Sequence, residues 1–115
     1  MEPEIKIDVY SIMGTSTPAG RTSEEGEPAG DTIRRLILDN WEKYEKIVIL
    51  FEGIAKMSRP FVDEAFAKVL EERTLNEFNS KLYFPDAKAD IVKDLNAAMK
   101  LRIKIIQAAR EREAL

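Results

Sequence analysis

The run Lys46-Ile47-Val48-Ile49-Leu50-Phe51 constrains this chain more than any other segment. Residues 47 to 51 are all apolar, and three of them are β-branched, so the run has no polar side to turn towards water. Such a run suits a central strand buried on both faces. The flanking segments must then supply neighbouring strands and a helical cover.

Residues 4 to 12 alternate. Ile5, Ile7 and Val9 point one way and Lys6, Asp8 and Tyr10 the other, which predicts a half-buried strand towards a sheet edge. Asp31 offers a helix N-cap, and Ile33, Leu36, Ile37, Trp41 and Tyr44 follow at helical spacing. Arg34, Arg35, Asp39, Glu42 and Lys43 form the opposite, solvated face of that helix. A second helix is predicted from Ser58-Arg59-Pro60, since proline is tolerated in a first helical turn. Val62, Ala65, Phe66, Val69 and Leu70 make its buried stripe, and Asp63 and Glu64 are expected in the first turn, where the helix dipole favours negative charge. Asn76 and Asn79 suggest a turn, and residues 81 to 84, KLYF, read as a further strand stopped by Pro85.

The final helix is predicted over 90 to 112. Its apolar residues fall on two faces, with Ile91, Leu95, Ala98 and Ile105 along one and Val92, Met99, Ile103 and Ile106 along another. A helix apolar over so much of its girth packs on two surfaces. The sheet is the expected cover for one and a partner for the other, which includes a homodimer through this helix. The element order β, loop, α, β, α, β, α implies a mainly parallel or mixed sheet of about four strands, because parallel neighbours need helical crossovers. About three to four helices pack on it in an α/β domain spanning 1–115.

Residues 13 to 30 hold four of the five glycines and two prolines. So long a stretch without apolar periodicity is uncommon in a compact domain, and it is expected to be a functional loop, partly disordered, or host to a short hidden strand. Gly20, Arg21, Gly26 and Gly30, with Arg34 beyond, raise an anion or nucleotide cradle ahead of a helix. Neither a Walker pattern nor a GxGxxG after a strand is present, and Glu24, Glu25 and Glu27 would repel phosphate. A mobile or partner-facing loop is the favoured reading.

Cysteine and histidine are both absent from the 115 residues. That removes disulfides, thiolate nucleophiles, cysteine zinc sites and any imidazole base. No cofactor or metal is expected. The net charge of -3 argues against a nucleic-acid partner. No apolar run approaches the roughly 20 residues needed to cross a bilayer, and the start Met1-Glu2-Pro3-Glu4 is unlike a signal peptide, so a cytoplasmic protein without a membrane partner is expected. As a catalytic pair, Asp63 and Glu64 would point about 100° apart on a helix, poorly placed to share a substrate. Glu52, at the end of the apolar strand, is a lone acid without a motif. Lys100, Arg102 and Lys104 read as an exposed rim. Ser58 reads as a helix cap or as a site of phosphorylation or partner contact.

The stretch 46 to 70 carries a resemblance. A hydrophobic strand leads to Phe51-Glu52-Gly53-Ile54, a short loop, Ser58, and a helix reading Phe61-Val62-Asp63-Glu64-Ala65-Phe66. It resembles the STAS domain, named for sulphate transporters and anti-sigma factor antagonists, and more closely the bacterial STAS-like family of small proteins, whose helix reads roughly Phe-x-(Asp/Glu)-Glu-Ala-Phe. Upstream, Gly20-Arg21, Gly26 and Gly30 with Arg34 are similar to that family's Gly-Arg, Gly and Gly-x-x-x-Arg order. The resemblance implies a small sheet with helices, no known catalytic activity, and association with histidine-kinase-like ATPases. In the anti-sigma antagonist relatives a serine at the loop–helix junction is phosphorylated by a partner kinase. Here the junction reads Ser58-Arg59-Pro60, so that position falls on Ser58 or, in the adjacent register, on Arg59. The expectation is a non-catalytic regulatory module that docks a signalling protein through residues 53 to 66, with Ser58, Arg59, Phe61, Asp63 and Glu64 at the contact. The alternative is a small-ligand sensing or enzymatic domain with the 14 to 30 loop as its lid.

Overall fold

A computed structural model describes residues 1–114. In chain order the elements are β1 (Glu2–Asp8), α1 (Val9–Met13), α2 (Gly30–Asp39), β2 (Tyr44–Leu50), α3 (Arg59–Ala65), a 3-10 helix (Ala67–Glu71), α4 (Leu75–Lys81), β3 (Leu82–Tyr83) and α5 (Ala89–Ala114). The strands form one sheet in the order β1-β2-β3, and both pairings are parallel. The apolar run is the middle strand, with Ile47 and Ile49 wholly buried. This is the expected α/β fold with a parallel sheet, built with three strands where about four were expected.

Strand β1 lies at an edge and pairs with β2 from Glu2 opposite Tyr44 to Asp8 opposite Leu50. It ends earlier than alternation suggested. The Asp8 carboxylate accepts the Ser11 backbone N–H at 3.1 Å and starts the helical turn α1, which closes at Gly14 with φ 69°. Val9 still reaches the core, which is why the alternating pattern ran on past the strand. The loop after α1 contributes no strand to the sheet; its only pairing is a tight turn bridging Glu24 and Glu27, with Glu25 and Gly26 at φ 45° and 84°. Positive φ at both central positions matches the twist of a two-residue hairpin.

Three further local expectations are corrected. Helix α2 starts at Gly30 with Ala29 as its N-cap, so Asp31 is not the cap; its carboxylate instead accepts the Ser23 N–H and pairs with Arg35. Asn76 and Asn79 lie inside α4, which Thr74 and Glu77 begin with a reciprocal capping box. Helix α5 packs on α3 and the 3-10 helix, with Ile91, Leu95 and Met99 buried, so its inner face mixes the two apolar sets distinguished above.

All five phenylalanines of the chain join one aromatic cluster. Phe66 sits at its centre, edge-on to Phe51, Phe61 and Phe84, with Phe78 stacked on Phe84 beyond. Burying one such ring contributes about 1.5–3 kcal/mol before edge-to-face preferences are added. Among the described residues, no helix is long and apolar enough to cross a membrane.

Candidate functional site

The chain leaving β2 is fastened twice before α3 begins. The Asp86 carboxylate accepts the backbone N–H groups of Phe51 and Glu52 at 2.9 and 3.1 Å. Gly53 follows at φ 92°, and a Cβ there would stand 2.7 Å from the Tyr10 ring, so only glycine fits both the backbone and the close ring. The next residues run along the upstream loop. Ala55 and Lys56 donate to the Ser16 carbonyl at 2.8 and 3.2 Å, and Ser58 N–H donates to that of Pro18 at 3.1 Å.

Ser58 joins the two segments through its side chain as well. Its hydroxyl donates to the Ala19 carbonyl at 2.6 Å and accepts the Phe61 N–H at 3.2 Å, capping α3. Pro60 occupies the first turn, where no N–H is needed. Around this junction Glu52, Lys56, Arg59 and Pro60 are exposed, and Ser58 is half-exposed.

Behind the junction lies a lock of charges. Asp63 and Glu64 are not in the first turn of α3 but in its second half, which corrects the dipole account. The reason they stay there is pairing. Asp63 accepts Arg21 at 2.7 Å and both the Nε and Nη2 groups of Arg102, the Nε at 3.0 Å. Glu64 accepts Arg34 at 2.5 Å and Arg21 at 3.4 Å, with the Lys68 ammonium at 3.3 Å. Burial alone would push both carboxyls up. The hydrogen bonds and charges of Arg102 and Arg21 outweigh it at Asp63, and those of Lys68 and Arg34 outweigh it at Glu64, so both are held below the ordinary carboxylate value.

Gly30 lets the lock close. A Cβ at Gly30 would stand 2.8 Å from the Glu64 Cβ and 3.1 Å from the Phe61 carbonyl, so the start of α2 approaches α3 more closely than any other residue allows. Beside it the Gly30 N–H donates to the Gly20 carbonyl and the Asp31 N–H to that of Arg21, both at 2.9 Å. The loop is thereby strapped to α2 and α3 along its length.

These contacts redistribute the expected site residues. Phe61 is wholly buried and Glu64 is 5% exposed, so neither can offer a docking contact; packing and pairing claim them. Asp63 has both oxygens engaged. Arg34 leaves the solvated face of α2 for Glu64, and Arg102 leaves the rim for Asp63, while Lys100 and Lys104 remain exposed. Arg21 and Arg34 converge on a carboxylate rather than opening a cradle for an anion, and Gly26 serves the Glu24–Glu27 turn. Of the expected docking residues, Ser58 and Arg59 stay accessible. Among the described residues, no group of three or more metal-ligating side chains is gathered.

Residues 29–92 match the family described as a STAS-like domain of unknown function (DUF4325). The chain belongs to this family. No curated protein and no solved structure matches it. In this STAS-like domain the residues that carried the resemblance meet one another: Arg21, Gly30 and Arg34 close on Asp63 and Glu64, and Phe61 and Phe66 anchor the same helix in the aromatic cluster. Sequence reasoning missed Asp86, Lys68 and Arg102 as parts of the arrangement. Lys68 had a signal, four residues after Glu64 on one helical face. Asp86 and Arg102 had none, because their partners are more than thirty residues away in the chain.

Proposed function

We propose that this STAS-like domain is a non-catalytic regulatory module that docks a signalling protein of the ATPase or kinase-like kind through the exposed β2–α3 junction, with Ser58 as the control point. The observation that carries the reading is the double role of the Ser58 hydroxyl, which caps α3 and pins the upstream loop at Ala19. A phosphoryl group on that oxygen removes the proton donated to Ala19 and adds about -1.5 to -2 charges beside a carbonyl oxygen. Loop residues 16 to 19 are then repelled, while exposed Lys56 and Arg59 lie in sequence on either side to receive the charge. One modification would thus change both the shape and the charge of the docking surface.

The non-catalytic part of the reading rests on chemistry. There is no imidazole or thiol, and Asp63 and Glu64 are spent on arginine and lysine. A carboxyl held below its ordinary value is a poor proton donor near neutral pH.

The test is a pull-down from host lysate with wild-type, Ser58→Glu and Arg59→Glu baits, reading captured proteins and bait mass together. An ATPase-domain protein held by the wild type and lost with either variant is the expected result. Equal capture by all three baits removes this surface from consideration, and a wild-type bait that never gains phosphate removes Ser58 as the control point.

A further inference from the structure

Helix α5 is covered along one face only. Ile91, Leu95 and Met99 are buried, whereas Leu101 and Ile105 are 60% and 42% exposed. At about 3.6 residues per turn, Asp94, Ala98, Leu101, Ile105, Ala108 and Arg112 fall on one stripe, roughly a quarter-turn away from the buried one. The stripe is apolar in its middle and charged at its ends. Asp94 and Arg112 are both exposed and stand about 27 Å apart along the helix.

A negative end and a positive end on one face complement a second copy of the same face laid in the opposite direction. We infer that two copies of this chain pair through this stripe, α5 against α5 and antiparallel, about a two-fold axis level with Ile103. Leu101 then lies opposite Ile105 of the second copy, Ala98 opposite Ala108, and Asp94 opposite Arg112. On the adjoining flank exposed Lys93 comes within two residues, about 3 Å along the axis, of the level of Glu111 of the second copy. The two-fold axis repeats each pair, as an isologous contact requires.

The opposite direction is worse. A parallel pair would set Asp94 on Asp94, Arg112 on Arg112 and Lys93 on Lys93. In the antiparallel pair no like charges stand opposite one another on the stripe itself. On the flank Lys104 comes near its own copy and near Lys100 of the second copy, each about 3 Å along the axis from level. Alanines at 98 and 108 let the two backbones come close, and the leucine and isoleucine fill the centre between them. One helical stripe buries less than the roughly 800 Å² per partner of a standard interface, so the pairing is reversible and depends on concentration. It is independent of whether the Ser58 junction docks another protein.

Sedimentation equilibrium of the full chain over a wide concentration series reads the association. The expected mass rises from that of one chain to twice that value. Leu101→Glu, on an exposed site, should weaken the association by about tenfold or more. Asp94→Arg should weaken it as well, and adding Arg112→Asp to that variant should restore it. Direction is read by disulfide trapping, because the chain has no cysteine of its own. Ala98→Cys mixed with Ala108→Cys should cross-link, and neither variant should cross-link alone. A single-chain mass at every concentration, or an unaltered dimer with Leu101→Glu, overturns the pairing and leaves the face to a different protein. Cross-linking of Ala98→Cys to itself overturns the antiparallel register.

Discussion

The loop between α1 and α2 and the outer face of α5 exchange the roles usually given to loops and helices. The loop has almost no regular structure, yet Ser16, Pro18 and Ala19 each accept a hydrogen bond from the β2–α3 segment, Pro18 is wholly buried, and Arg21 is bound into the charge lock. The outer face of α5 belongs to a regular helix of 26 residues, yet Leu101 on it is 60% exposed. A segment is fixed by where its polar and apolar groups find partners, and backbone regularity is a separate matter. The contrast falls even between neighbours: Arg102 is drawn into the lock, and Leu101, one residue earlier, faces water.

The comparison breaks most readily at the lock. Glu64→Ala leaves Arg34 and Lys68 partly buried without their carboxylate. Removing one partner of such a pair costs about 3–5 kcal/mol when burial is deep, and urea unfolding should place this variant at the lower end because Lys68 can still reach water. If Glu64→Ala unfolds at the wild-type midpoint, the loop is not held by its charges. Gly30→Ala tests the same contact by shape. The new Cβ would meet the Glu64 Cβ at 2.8 Å, so α2 must move away from α3, and overpacking of this kind costs about 1–3 kcal/mol. A stability gain on that substitution, as an unstrained helix position would give, removes the close approach as the reason for glycine.

Acid is a gentler lever on the same lock. Asp63 and Glu64 titrate below their ordinary values of 3.8 and 4.5, so their ionised forms favour the folded chain. That contribution is present in full above those values and is lost as the pH falls through them towards the lower folded values. Urea midpoints measured from neutral pH downwards should therefore decline in acid, and the decline should shrink in an Asp63→Asn, Glu64→Gln double variant. An identical acid slope in the double variant would mean that other carboxylates, such as Asp31 beside Arg35, carry the effect.

Much of the fold was legible because it rests on local apolar pattern. Five adjacent apolar residues specified the middle strand, and Ser58 with Pro60 specified the start of α3. Helix α4 escaped because its signal was the Thr74–Glu77 capping box rather than periodicity, and its asparagines pointed to a turn. The site was legible as a set of residues and misread as an arrangement. Arg21, Arg34, Asp63 and Glu64 were all singled out, but pairing them requires knowing that the loop, α2 and α3 converge, and adjacency in the chain made Asp63 and Glu64 look like partners of a helix dipole. Burial decided Phe61: a phenylalanine in a motif gives no hint from sequence whether it faces the core or a partner.

The smallest expected effect is the most discriminating for α5. Leu101→Glu in dilute solution replaces an apolar side chain already 60% exposed, so no core contact is lost and a charge enters water. Surface changes of this kind usually stay within about 0.5 kcal/mol of the wild type. The thermal midpoint of the dilute variant should accordingly match the wild type, while at high concentration the wild type alone should gain stability, because association draws folded chains into pairs. A loss well above that range at low concentration would mean that Leu101 is already covered within one chain. The outer face of α5 would then be as fully partnered as the loop, and the difference between the two regions would vanish.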